Sequence, residues 1–320
     1  MNLHTKILIA SACLALHTHA GAQAYPNKPV RVMVGFAPGA ATDLLARVVS
    51  AKLSDGLGQP LVVENRAGAG GALANEVVAK AAPDGYTLVL GESGGMAVAP
   101  AMMKSPPYDP RKDFTPIAQV VSVSVLLVAN PSLGAKTLGD LKSLSAGKPL
   151  PYGSAGTGTM QHLAMELLKN TSGLPFEHVS YKGGAPALQD LLAGVIPLLV
   201  ITPATILPHV KTGKVTALAV LNANRSKFFP DLPTARESGY PGYGIEAWQG
   251  FFAPAGTPRE IVARLNSEIR RSLEAPEVVQ KLVSTGSEIV TGTPEAFAKL
   301  VRDDIERWAK VVRDAGMVPN

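Results

Sequence analysis

Val30-Arg31-Val32-Met33-Val34-Gly35-Phe36-Ala37-Pro38-Gly39-Ala40-Ala41-Thr42-Asp43-Leu44-Leu45-Ala46-Arg47 reads as a short apolar strand, a loop of small residues and the opening of a helix. Only Arg31 interrupts the apolar run, and the spacing changes to helical after Thr42. The phrase then recurs. Pro60-Leu61-Val62-Val63-Glu64 enters Gly68-Ala69-Gly70-Gly71 and a helix over 73–81. Tyr86-Thr87-Leu88-Val89-Leu90 enters Gly91-Glu92-Ser93-Gly94-Gly95 and a further helical stretch. Leu150-Pro151-Tyr152 enters Gly153-Ser154-Ala155-Gly156-Thr157-Gly158-Thr159 and a helix over 160–169; Glu177-His178-Val179-Ser180-Tyr181 enters Lys182-Gly183-Gly184-Ala185 and a helix over 186–192. Strands alternating with helices predict parallel βαβ units and an α/β fold.

Two extended stretches interrupt the repetition: Val120-Val121-Ser122-Val123-Ser124-Val125-Leu126-Leu127-Val128 and Ile245-Glu246-Ala247-Trp248-Gln249-Gly250-Phe251-Phe252. Each is expected to cross between two lobes. That places 25–122 and 245–320 in a discontinuous lobe 1 and 123–244 in lobe 2, with a cleft between lobes joined by two crossover strands. The tail from 258 is helical, its last helix announced by Thr293-Pro294-Glu295.

The totals agree. A chain of 320 residues suggests two domains. With 46% apolar and 17% charged residues it builds large cores, which excludes a disordered chain. The single cysteine, Cys13, excludes a disulfide framework or zinc cluster. Lys6, the apolar run through Leu16 and Ala22-Gln23-Ala24 make residues 1–24 a secretory signal peptide, cleaved before Tyr25. The net charge of +5 is scattered and not interleaved with aromatics, so nucleic acid is not an expected partner. The uncharged stretch 191–208 is broken by Gly194, Pro197 and Pro203, and reads as strand, turn and helix start, not a membrane span.

The loops at the strand ends are rich in Gly, Ala, Ser and Thr. Small residues let main-chain N–H groups approach a ligand, and the unpaired amides of a first helical turn attract anions. Each amide bond to a charged oxygen contributes about 1.5–3 kcal/mol. Two such loops across a cleft suffice for micromolar affinity, about −8 kcal/mol, after ordering costs. Taken singly, each loop also reads as an ordinary turn and cap, with Asp43 a first-turn acid and Thr159 an N-cap.

Several stretches together resemble the Bug family, the periplasmic receptors of tripartite tricarboxylate transporters. They are Pro38-Gly39-Ala40-Ala41-Thr42-Asp43, Glu64-Asn65-Arg66, Ala82-Pro83-Asp84-Gly85-Tyr86-Thr87-Leu88, Tyr108-Asp109-Pro110, Tyr152-Gly153-Ser154-Ala155-Gly156, Gln161-His162-Leu163-Ala164, Tyr181-Lys182-Gly183, Leu207-Pro208-His209 and Ala253-Pro254-Ala255-Gly256-Thr257-Pro258. The resemblance implies a two-lobed periplasmic binding protein fold, type II-like, that closes on a small organic carboxylate and delivers it to membrane permease subunits. It implies no cofactor, no metal and no catalysis, and a monomer. Combined with the loop reading, it nominates Phe36, Ala40, Ala41, Thr42, Asp43, Ser93 and Gly94 from lobe 1. From lobe 2 come Tyr152, Ser154, Ala155, Gly156, Thr159, His162, Gly183, Gly184, Ala185 and Thr202. Two positions depart from the family pattern. Ala40-Ala41 replace a usual Gly-Gly, and Ile201 stands where many members have Asp. An apolar side chain there predicts a carboxylate ligand lacking an amino group.

Gly91-Glu92-Ser93-Gly94-Gly95 also matches the G-x-S-x-G nucleophile turn, between strand and helix, which makes a secreted serine hydrolase the alternative reading. It lacks partners: the last histidine is His209, and no His-Gly-Gly-Gly segment precedes Ser93.

Overall fold

In β1 (Val30–Val34) every residue except Arg31 is buried, because parallel strands flank it on both sides and helices cover both faces. The computed structural model describes residues 25–316 apart from 158, 182 and 285. The signal-peptide expectation, and Cys13 with it, lies outside the described residues. Val30, Val32 and Val34 pack with Leu45, Ala46, Val49 and Leu53 of α1 (Ala41–Leu57). Met33 turns the other way, toward Ala74 and Val78 of α2 (Ala72–Ala79). The helix α1 stops at Gly58, whose left-handed φ of 70° only glycine adopts without strain.

The first sheet runs β11-β4-β10-β3-β1-β2. β2 (Leu61–Asn65) and β3 (Thr87–Glu92) flank β1 in parallel. β10 (Trp248–Pro254), late in sequence, inserts antiparallel between β3 and β4 (Phe114–Val123). The short β11 (Ser287–Ile289) closes the edge. The second sheet runs β7-β6-β8-β5-β9 and uses only the middle of the chain. Its members are β5 (Leu126–Ala129), β6 (Leu150–Ser154), β7 (Phe176–Ser180), β8 (Leu198–Ile201) and β9 (Thr216–Val220). Its helices are the short α3 (Leu141–Leu144), then α4 (Met160–Ser172), α5 (Gly184–Leu192) and α6 (Pro203–Lys211). The C-terminal helices α7 (Arg259–Leu273), α8 (Pro276–Ser284) and α9 (Pro294–Asp314) return to the first sheet.

Two sequence expectations shift. The stretch 120–128 is not one strand: β4 ends at Val123 and β5 begins at Leu126. The Val125 N–H turns aside to the Asn222 Oδ1 at 2.7 Å, while Asn222 Nδ2 donates to the Val123 carbonyl at 3.0 Å. One side chain thus bridges the break between β4 and β5. After Gly95 there is no α-helix, only a π-type turn, Gly94–Val98, and a 3-10 turn, Ala99–Met102. Pro100 withholds the amide an α-helix would need there, and the Tyr108 hydroxyl bonds the Gly95 carbonyl.

Candidate functional site

The carboxyl ends of β1 and β3 in one sheet, and of β6, β7 and β8 in the other, carry all the residues singled out from the sequence except Tyr152, which lies within β6. In the first loop Gly35 packs so closely on Gly71 that a Cβ would collide with it, and Phe36 is half-buried against the same glycine and the α1 core. Ala40 is half-exposed and Ala41 exposed, at the helix start. Asp43 is buried and faces inward. Its carboxylate accepts from the Gly39 N–H (2.9 Å), Asn65 Nδ2 (2.8 Å) and Arg47 Nε (2.9 Å). Burial acts to raise its pKa, but these bonds outweigh burial and hold it below the usual aspartate value. Asp43 therefore shapes the loop from beneath.

Thr42 is buried and sits in a relay: Gln249 Nε2 donates to its Oγ1 at 3.2 Å, and its hydroxyl donates to Glu92 Oε2 at 3.3 Å. Gln249 and Glu92 are register partners of β10 and β3. Glu92 was not singled out from the sequence. As one residue within a glycine-rich turn it gave no signal; only the register brings it beside Thr42. Burial pushes its carboxyl up to about 7, partly opposed by the Thr42 bond.

Ser93 is 3% exposed, and no histidine among the described residues bonds it. This removes the hydrolase alternative's base. Gly94 is half-buried in the same turn.

In the second lobe Tyr152 is fully buried and gives its hydroxyl to Glu166, so it belongs to the core and does not flank a ligand. Ser154 is also fully buried. Its Oγ meets His178 Nε2 at 2.7 Å and accepts from the Gly156 N–H at 3.1 Å. His162 is buried, stacked on His178. Burial lowers both histidines to about 4, with the Lys169 charge adding to the effect at His162 and the neighbouring His162 adding to it at His178. Thr159 caps α4, accepting from the His162 N–H and donating to the Gly156 carbonyl at 2.7 Å. Ala155, Gly156, Gly183, Gly184 and Thr202 are half-exposed and Ala185 exposed. The Gly183 N–H bonds the Ala155 carbonyl at 3.1 Å, joining the two loops. Ile201 is buried in the apolar cluster of α5 and α6.

The helix starts differ in a telling way. α4 is capped by a Thr159 oxygen, whereas α1 and α5 begin at Ala40 and Gly183 with no side-chain cap. Uncapped first-turn amides at half-exposed strand ends offer main-chain donors and the positive end of a helix dipole to an anion. A separate polar recess of about 400 Å³ lies behind the connecting segments, lined by Gln119, Ser124, Asn222, Arg225, Glu246 and Glu288 among others, and holds none of these residues. Among the described residues no group of three or more His, Cys, Asp or Glu side chains is placed to hold a metal ion. No described helix is long and apolar enough to cross a membrane.

Two α/β sheets joined by two connecting segments, with ligand-type loops at the strand ends of each, define a two-lobed periplasmic binding protein. Residues 45–317 match the family described as tripartite tricarboxylate transporter family receptor, and the chain belongs to that family. It is similar to Protein BugT of Bordetella pertussis, 38% identical over 97% of this chain and 95% of that protein. Among solved structures it is similar to R. palustris Rpa4515 with adipate, 37% identical with a TM-score of 0.80 over 92% of this chain and all of that one. It is also similar to MatC from Rhodopseudomonas palustris with bound malate, 38% identical with a TM-score of 0.76 over 90% and 100% of the two chains. Family and neighbours are solute-binding proteins, not enzymes.

Proposed function

We propose that this protein captures a small organic carboxylate between its lobes and delivers it to the membrane subunits of a tripartite tricarboxylate-type transporter. The observation that carries the reading is the pair of uncapped helix starts at Ala40 and Gly183, one on each sheet. Neighbours solved with adipate and malate support the ligand class. Main-chain amides of α1, α5 and α6, with Ala41, Gly94, Ala155, Gly156, Gly184 and Ala185 around them, neutralise the carboxylates; Phe36 packs beside the ligand body. Asp43, Ser154, Thr159 and His162 hold the loops in shape. The lobes divide at 122/123 and 244/245, the chain acts as a monomer in the periplasm, and residues 1–24 are removed on export.

A thermal-shift screen against organic acids tests this. A carboxylate at a hundred times its Kd is expected to add about 2.7 kcal/mol of stability. A panel of mono-, di- and tricarboxylates that all leave the unfolding temperature unmoved overturns the reading.

A further inference from the structure

Glu92 places a carboxylate where the proposed ligand's own negative ends would arrive. It ends β3, beside the first turn of α1, and remains partly exposed. One oxygen is committed: Oε2 accepts from Thr42, whose hydroxyl is aimed there because Gln249 Nε2 already donates to Thr42 Oγ1. The other is open. Oε1 accepts no hydrogen bond among the described residues, and it lies 3.2 Å from where a Cβ on Gly94 would stand, over the turn that Gly94 begins. Its perturbation comes from burial and the Thr42 bond alone, with no cationic side chain acting on it. A carboxylate so enclosed and half-partnered is costly until a donor meets its second oxygen. Once ionised, above about pH 7, it meets a bare ligand carboxylate with repulsion and a ligand hydroxyl or ammonium with a hydrogen bond.

We infer that Glu92 is a specificity-determining residue, selecting carboxylates that carry a hydrogen-bond donor, a hydroxyl or an amino group, beside the acid end that α1 receives. This rests on the carboxylate reading above, and it departs from the ligand without an amino group expected from Ile201. Ile201 is packed in the core, whereas Glu92 stands among the loops.

The test is calorimetry with two matched sets: succinate, malate and aspartate; adipate, 2-hydroxyadipate and 2-aminoadipate. Each is titrated at about pH 8.5, with Glu92 ionised, into the full chain, Glu92→Gln and Glu92→Ser. In the wild type, the donor-bearing member of the better set is expected to bind about tenfold or more tighter than its unsubstituted parent. Whether hydroxyl or amino leads names the donor. In both variants the ratio is expected to fall at least fivefold, mainly because the unsubstituted parent gains affinity (about fivefold, by analogy with removing a like charge). A purely structural Glu92 would weaken all probes alike and leave the ratio unmoved, which overturns the inference. A parent diacid binding the wild type as tightly as its substituted partners overturns it too. Binding of no probe by any of the three proteins overturns the carboxylate reading and this inference together.

Discussion

The imidazole rings of His162 and His178 stack with centroids 3.8 Å apart and planes inclined by 16°. One stands in the first turn of α4 and the other in β7, so the contact pins a helix start to the sheet. His178 passes that constraint on: its Nε2 meets Ser154 Oγ, and Ser154 accepts the Gly156 N–H. A half-exposed loop is thereby set by a stacked ring pair.

Two neutral rings face to face make an acid-labile device. Folding holds both histidines near 4, while the unfolded chain takes up protons near 6.5. Stability from this pair is therefore fully present above about 6.5 and is lost as the pH falls toward 4. The expected loss is roughly 3 kcal/mol for the pair across that window. Urea unfolding at pH 7.5 and 4.5 measures it, and His162→Gln should shrink the difference; an unchanged difference in that variant refutes it.

Asp304 should titrate in the opposite sense. It is fully buried in α9, accepts from Trp248 Nε1 at 2.9 Å and meets Arg307 at 3.1 Å. Burial lifts its carboxyl to about 6, with the Trp248 and Arg307 contacts opposing. A raised acid contributes stability below the unfolded value near 4 and loses it as the pH rises through about 6. Asp304→Asn keeps an acceptor for Trp248 without the charge. It is expected to match the wild type near pH 4 and exceed it by about 2 kcal/mol at pH 8. Equal pH profiles in thermal melts would count against this.

Asp43 tests loop shape. Asp43→Ala leaves the Gly39 amide, Asn65 and Arg47 without their common acceptor. The expected cost is about 2–3 kcal/mol of stability, with ligand affinity reduced at least tenfold because the α1 start loses its preorganised loop. Asp43→Asn should recover part of both. Calorimetry showing full affinity in the alanine variant would return the loop's shape to the backbone alone.

Ile201→Asp separates the two accounts of that position. The side chain would enter the apolar cluster of Leu199, Ile206 and Leu191, where an unpaired carboxylate costs about 3 kcal/mol or more. A strong drop in the urea midpoint, with no gain for amino-bearing ligands, is expected. A stable variant that prefers aspartate to succinate more than the wild type does would reinstate Ile201 as a ligand-facing residue.

Much of the secondary structure could be read along the chain. The strands at Val30–Val34 and Thr87–Glu92 announce themselves as apolar runs followed by small residues, and Thr159 and Thr293 announce their helices as N-caps. These signals are local: a strand's period, a cap's oxygen and a glycine's positive φ depend on a few neighbouring residues. The family, too, was written in motifs spread along the order of the chain.

Which side chains face the loops was not local. Tyr152 and Ser154 share one face of β6, and both lie against His178, yet Tyr152 reaches on to Glu166 of α4 while Ser154 bonds the His178 ring and the Gly156 amide. Glu92 reads as one more residue of a glycine-rich turn until β10, from the far end of the chain, sets Gln249 opposite it and steers Thr42 onto its carboxylate. The sequence by itself determined the alternation of strands and helices, because propensity and hydrophobic period act over a handful of residues. Burial, charge cost and the orientation of hydrogen bonds arise only where distant segments meet, so only the fold shows which groups are spent on holding the loops.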